Sequence, residues 1–213
     1  KNSTVDAIVG GGWNRYDGDH FGEVIYTRFA RNNDPYEPFY KNNAVKTDFN
    51  IYGKATVSIT AKFAVYGDLQ LRTINYEGDG PTQQVANFPI DANFDFFNPK
   101  GGFTYQFNEK SQLYGSVAVA HREPSRSDYE DAFQNEEVAP TEEQLVDYEL
   151  GWRFNSGKTQ VNTNLYFMNY KDQLVLTGEI DEEGAAIRKN SGESYRLGLE
   201  VDATIWVNDW LSL

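Results

Sequence analysis

The chain has no cysteine, and among its 213 residues it has only two histidines, His20 and His121. Without thiols it can form neither disulfides nor thiolate metal sites, and two imidazoles are too few for a multi-histidine zinc centre. We therefore expect no cofactor. Basic residues are also scarce, because 19 Lys and Arg face 32 Asp and Glu to give a formal net charge of -13. A chain this acidic repels phosphate backbones, so nucleic acid is excluded as a partner.

Long apolar runs are missing as well. No window approaches the roughly 18 consecutive apolar residues of a membrane-spanning helix, and the chain opens at Lys1 without a basic and apolar leader. We therefore predict neither a transmembrane helix nor a signal peptide. A membrane protein with this sequence would have to be a β-barrel, the only other architecture that satisfies every backbone group in a bilayer.

The sequence does contain strict alternation of charged and uncharged side chains. It is clearest in 60–76, 145–154 and 195–207, where the period is two and not 3.6. We predict strands there, and no segment has a convincing helical pattern. The further predicted strands are Val45–Gly53, Phe94–Phe107 and Gln160–Tyr170 and, less clearly, Thr4–Gly11, Glu23–Arg31 and Gln112–Ala120.

Alternate residues of each predicted strand form two rows that point to opposite sides, and the two rows differ in charge. Several runs alternate for ten or more residues, whereas soluble strands are typically about 5–6 residues long and a tilted membrane strand needs about 9–11. An uncharged row suits lipid, but it also suits the core of a soluble β-sandwich that binds a ligand such as a glycan, and both interpretations stay open. The charged residues of the opposite rows, which would face the lumen of a barrel, are Lys62, Asp68, Arg72, Asp147, Glu149, Arg153, Arg196, Glu200 and Asp202.

The connections alternate between short and long. Short polar turns are predicted at 108–110, 155–158 and 208–209, and long connections at 77–93, 121–144 and 174–194. Outer-membrane barrels have this asymmetry, with tight periplasmic turns and long extracellular loops. The sequence therefore favours an all-β fold, an antiparallel up-and-down transmembrane β-barrel, with residues 1–213 forming a single region.

Four stretches carry a family resemblance: LYGSVAVAHREPSRSDYEDA, APTEEQLVDYELGWRF, NLYFMNYKDQLVLTGEI and NSGESYRLGLEVDA. From about Phe97 to the end, the chain resembles the barrel of TonB-dependent outer-membrane receptors. It is most similar to the iron-complex, haem or vitamin receptors of Bacteroides-like Gram-negative bacteria.

The resemblance implies a location and a set of partners. Such receptors lie in the outer membrane and import a scarce nutrient, such as a siderophore-iron complex, haem or cobalamin, with energy supplied through TonB. Outer-membrane lipid, a plug domain of the same protein, TonB and a small nutrient ligand would be the partners. We expect no plug domain within residues 1–213, which would be a piece of the C-terminal barrel.

The loop HREPSRSDYEDAFQNEEVAP, residues 121–140, supplies the candidate site. Arg122, Arg126 and Asp128 are candidate contacts to the ligand or the plug, although the resemblance favours a structural or gating role. His121, Ser125 and Asp128 are the residue types of a nucleophilic triad, but they lie in one short segment without a nucleophile elbow. We therefore expect no catalytic residues and no enzyme activity.

Overall fold

The computed structural model describes most of the chain. The described residues are 4–26, 28, 37–83, 85–135, 138–180, 184, 186–208 and 210–213.

In the described residues, eleven strands and one helix follow one another. They are β1 (Val5–Glu23), β2 (Pro38–Ser58), β3 (Phe63–Asp79), β4 (Ile90–Asn108), β5 (Ser111–Arg122), α1 (Arg126–Gln134), β6 (Glu143–Asn155), β7 (Thr159–Lys171), β8 (Leu174–Ile180), β9 (Ala186–Asn190), β10 (Glu193–Asn208) and β11 (Leu211–Ser212).

One antiparallel sheet contains nine of these strands, in the order β1-β2-β3-β4-β5-β6-β7-β10-β11. Strands β8 and β9 form a separate hairpin. Among the described residues no register joins β1 to β10 or β11, so the sheet stays open. The predicted all-β antiparallel architecture is confirmed, as part of a barrel that is not closed here. No helix in the described part of the chain is both long enough and apolar enough to cross a membrane.

Burial on this sheet is the reverse of that in a soluble protein. Leu150 is 47% exposed and Leu199 is 66% exposed, while Glu149 on the opposite face is partly buried. We call the face that carries Leu150 and Leu199 the apolar face, and the face that carries Glu149 the polar face. No second sheet layer covers the apolar face in the described residues, so the soluble β-sandwich considered above is wrong, because a sandwich seals its uncharged rows between two sheets.

Tyrosines and glycines pair across the polar face. Tyr114 and Gly151 are direct cross-strand partners, and a Cβ at Gly151 would lie 2.2 Å from Cζ of Tyr114. The glycine therefore lets the ring lie flat over the neighbouring strand, where the Tyr114 hydroxyl donates to Oδ1 of Asn164 at 3.1 Å. The same arrangement recurs in three other pairs of adjacent strands: Tyr52 with Gly10, Tyr66 with Gly102 and Tyr166 with Gly198.

The regular pairing of β4 with β5 ends at Lys100 and Ala118. The next residue of β4 toward the loops is Pro99, which has no N–H to donate. The His121 ring fills the gap: it lies parallel to Phe96 with centroids 5.3 Å apart. Its Nδ1 donates to Oδ1 of Asn98 at 2.8 Å, and its Nε2 accepts from the Gln144 amide at 2.9 Å.

The loop of residues 121–140 contains the helix α1, which the sequence analysis did not predict. Ser125 is its N-cap, and the Asp128 carboxylate accepts from the Ser125 backbone N–H at 2.7 Å, forming a capping box. Tyr129 and Ala132 form its buried side. The helix has only nine residues, too few to show a helical period, and Ser125 followed by Asp128 was the local signal for it.

Two other predictions were wrong in part. The predicted strand Glu23–Arg31 ends at Glu23; residues 24–26 and 28 are not strand, and 27 and 29–31 lie outside the described residues. The long connection of 174–194 is not plain loop, because it contains the hairpin β8–β9. Asp209 of the predicted turn at 208–209 lies outside the described residues too.

We predict that Gly151→Ala destabilises the sheet. The new methyl group must displace the Tyr114 ring and break its hydrogen bond to Asn164, at a cost of about 1–3 kcal/mol. Denaturant unfolding of the detergent-solubilised protein measures the change. Gly67→Ala is the matched control, because no atom lies within 4 Å of a Cβ there. Equal stability of the two variants would contradict the packing role of Gly151.

Candidate functional site

The ends of the strands next to the long connections are called the loop end, and the opposite ends the turn end. At the loop end, the β3–β4 loop and the β5–β6 loop fold onto the polar face. There they build a small hydrophobic cluster, which we call the loop core. Its buried members are Ala44, Tyr76, Phe88, Ile90 and Tyr129.

Aromatic contacts join the two loops. Phe88 of the β3–β4 loop is 1% exposed and meets Phe133 of α1 edge to face, with ring centroids 5.6 Å apart. On the strand side, Tyr129 of α1 meets Tyr76 at 6.4 Å. If one loop moved away from the sheet, apolar side chains of the other would be exposed to water. The two loops therefore form one packed unit.

Asn42 at the start of β2 binds both loops. Its amide nitrogen donates to the Pro81 carbonyl at 2.7 Å, and its amide oxygen accepts from the Arg126 guanidinium at 3.0 Å. The same guanidinium lies 4.9 Å from the centre of the Phe88 ring. Arg126 is thereby fixed by one hydrogen bond and one cation–π contact.

A group of four charged side chains connects the β5–β6 loop to strands β2 and β3. Glu123, the first residue after β5, accepts from Lys46 at 2.9 Å and from Arg72 at 3.2 Å. Arg72 also pairs with Asp48 at 2.6 Å. The Glu123 and Asp48 side chains are each only 14% exposed. We call these four residues the charge cluster; it fixes the position at which the loop leaves the sheet.

Glu123 and Tyr129 of the β5–β6 loop have shifted pKa values. Burial opposes the charge on Glu123, but the hydrogen bond and charge of Lys46, with the charge of Arg72, outweigh it and lower the pKa of Glu123. Burial, together with nearby tyrosine and carboxylates, raises the pKa of Tyr129 to about 12. At neutral pH Glu123 is therefore an anion and Tyr129 a neutral phenol.

The structure does not bring the three sequence-predicted loop residues to one point. Arg122 pairs with Glu143 of β6 at 2.9 Å, Arg126 binds Asn42, and Asp128 caps α1. Oδ1 of Asp128 is buried without a partner. Glu123 and Lys46 were missed as a pair, because the two residues are 77 positions apart.

The predicted lumen charges are distributed along the sheet. One cross-strand row on the polar face runs from Asp68 through Lys100, Ala118, Asp147 and Met168 to Arg196. Neighbouring rows on that face carry Arg72, Glu149, Arg153, Glu200 and Asp202. Lys62 instead lies in the turn before β3, where its Nζ donates to the Phe107 carbonyl at 3.3 Å.

The apolar face becomes polar toward the loop end. From Phe97 to Phe107 it covers about ten residues, or about 33 Å along the strand and about 25 Å at a tilt of about 40°. Beyond it, alternate residues form hydrogen bonds, as in the Thr73–Asp95 pair at 2.8 Å and the Asp19–Lys41 ion pair at 2.9 Å. A band of membrane thickness is thus followed by a surface suited to water.

The side chains of this site are of types that suit non-covalent binding. Within the described ranges, no group of three or more His, Cys, Asp or Glu side chains is placed to hold a metal ion. The loop core and charge cluster instead present arginine, carboxylate and aromatic groups beside the strand ends, which suits holding a loop or contacting a polar solute.

Comparison with known proteins identifies related barrels. The family model described as "TonB dependent receptor-like, beta-barrel" matches residues 2–213. No curated protein matches the chain. Among solved structures, the ferric yersiniabactin uptake receptor FyuA from Yersinia pestis is 15% identical with a TM-score of 0.65, over 98% of this chain and 31% of its own. The copper transporter OprC is 16% identical with a TM-score of 0.75, over 98% of this chain and 33% of its own. The FrpB iron transporter from Neisseria meningitidis is 20% identical with a TM-score of 0.57, over 78% of this chain and 24% of its own.

These similarities concern the fold. At such low identities the shared feature is the sheet of a large barrel, and the chain spans about a third of the length of FyuA and OprC. The predicted family is confirmed. The Bacteroides-like subtype stays a prediction.

We predict that Glu123→Gln loosens α1 at neutral pH. Losing the charge-assisted bonds to Lys46 and Arg72 should cost about 1–3 kcal/mol of the free energy of local opening. Because the folded pKa of Glu123 lies below its ordinary value of 4.5, this stabilisation is complete above 4.5 and is lost as the pH falls through the folded pKa.

Hydrogen exchange of the α1 amides, corrected for intrinsic rates at each pH, measures this opening. Glu142→Gln, an exposed position of the same loop, should leave the exchange unchanged. A difference between wild type and Glu123→Gln that persists undiminished in acid would show that the ion pairs do not hold the loop.

Proposed function

Because the chain belongs to the family of TonB-dependent receptor-like β-barrels, we propose that it forms part of the barrel of an outer-membrane receptor for TonB-energised nutrient uptake. The receptor lies in the outer membrane of a Gram-negative bacterium. Its partners are membrane lipid, a plug domain of the same protein, TonB and a small nutrient ligand.

The observation that carries this proposal is the reversed burial of the sheet. Leucines of the apolar face are about half exposed or more, whereas charged side chains of the polar face such as Arg72 and Glu149 are partly buried and bind neighbouring polar side chains. Lipid would cover the first surface and water would fill the space beside the second. An arginine or lysine facing lipid at the midplane would cost about 2–4 kcal/mol, so the charged residues belong in the lumen.

The long connections would form the extracellular mouth. Both loops of the loop core fold over the polar face, where a solute entering the barrel would meet them first. The contacts of Arg122, Arg126 and Asp128 support a role in holding the loops in place, and ligand selection would fall to other groups at the mouth.

The cargo we propose is a scarce nutrient such as a siderophore-iron complex, haem or cobalamin. The names of the similar structures support an iron complex within this range, since one is a ferric yersiniabactin uptake receptor and another an iron transporter. The chemistry of the polar face supports passage of a polar solute, because charged and amide side chains replace the water that the solute loses.

We predict that the full-length receptor binds one such complex and supports its uptake. Purified receptor is titrated with ferric siderophores, haem, cobalamin and copper, and labelled ligand that binds is then followed into cells. Deletion of the receptor, or of TonB, should each abolish uptake. Uptake that continues without TonB, or a receptor that binds none of the four classes, would contradict the proposal.

A further inference from the structure

A second polar site lies at the turn end, far along the strands from the loops. Gln106, Gln112, Arg153 and Asn162 are directly opposite one another in four adjacent strands. With Gln160 and the turn residues Glu109 and Lys110, they line a cavity of about 230 Å³. The two turn residues offset each other in charge, so Arg153 gives the cavity its net positive charge.

Arg153 is held in a defined orientation. Its Cζ lies 4.3 Å from the centre of the Tyr114 ring. That ring is in turn fixed by the space at Gly151 and by the bond from its hydroxyl to Asn164. The guanidinium is therefore stacked on a ring that cannot easily move.

Three side chains of this site, Arg153, Gln160 and Asn162, have unused donors. In the part of the chain that the structure describes, no carboxylate forms an ion pair with Arg153, and the side-chain amides of Gln160 and Asn162 form no hydrogen bond. By contrast, Arg72 and Arg122 each bind a carboxylate. Gln106 and Gln112 bind each other, and Gln106 also donates to the Asn108 carbonyl, so these two residues form the fixed walls of the cavity.

We propose that this site binds a carboxylate side chain of the plug domain, and the inference rests on the function proposed above. A guanidinium with neighbouring amides matches the two oxygens of a carboxylate. The cavity is smaller than the roughly 300–1,000 Å³ typical of small-molecule sites, so it suits one side chain better than a cargo molecule. Its place at the turn end also separates it from the loops where cargo would enter.

Arg153 is accordingly a positioning residue. It fixes one point of the plug against the barrel wall by a contact that water can replace when the plug is rearranged. Arg196 provides a comparison on the same face, because it also stacks on a tyrosine, Tyr170 at 5.1 Å. Its direct cross-strand neighbour, however, is Met168 and not an amide.

The test uses the full-length receptor with Arg153→Glu. Hydrogen exchange of plug amides, measured without ligand or TonB, should quicken by about tenfold near the contact, the scale of one charge-assisted hydrogen bond. Arg196→Glu should leave plug exchange unchanged. If Arg153→Glu does not assemble in the membrane, Arg153→Gln removes the same charge and should quicken the same amides.

The contact is then identified from the plug side. A photoreactive amino acid at Gln160 should cross-link to a plug peptide that contains Asp or Glu, and replacing that carboxylate by Arg should restore slow exchange to Arg153→Glu. Unchanged exchange in both Arg153 variants, or cross-links that reach only the barrel or added cargo, would overturn the inference. These measurements involve no uptake, so they can fail while TonB-dependent uptake is intact, and the reverse also holds.

Discussion

Hydrocarbon offers no hydrogen-bond partner to a peptide group, and the rest of this structure follows from that constraint. Strands that cross lipid must pair along their length, and the side chains that face it must be uncharged. The registers from β1 to β4, with one irregularity at Gly22–Glu23, and from β5 to β10 meet the first condition. The exposed leucines and valines of the apolar face meet the second.

The same constraint explains which parts of the fold the sequence predicts. Alternation between charged and uncharged residues exists only where the two faces meet different solvents, so the centres of β3, β6 and β10 were predicted closely. Toward the loop end the apolar face becomes polar, while the opposite face carries apolar members of the loop core such as Ile90. Strand β2 begins at Pro38 and β4 at Ile90, beyond the predicted starts at Val45 and Phe94, because hydrogen bonds between strands continue where the apolar face has already become polar.

The candidate site was predicted less well, for a related reason. The sequence singles out the loop that contains α1, and in the structure Arg126 and Asp128 of that loop form contacts that hold the helix in place. It does not reveal Glu123 with Lys46, or Phe88 with Phe133, because those contacts depend on how two loops fold back onto a face whose residues come from other strands. Only the capping box of Ser125 and Asp128 was visible locally, as a short motif without a helical period.

The claim that the apolar face meets lipid is tested most directly by comparing two adjacent residues. Because residues 1–213 contain no cysteine, Leu150→Cys and Glu149→Cys in the membrane-reconstituted receptor can each carry a spin label. The account predicts that oxygen dissolved in the bilayer relaxes the label at position 150, and that the label at position 149 is shielded from lipid. A label at position 150 that is reached by a water-soluble relaxing agent and not by oxygen in the bilayer would contradict it.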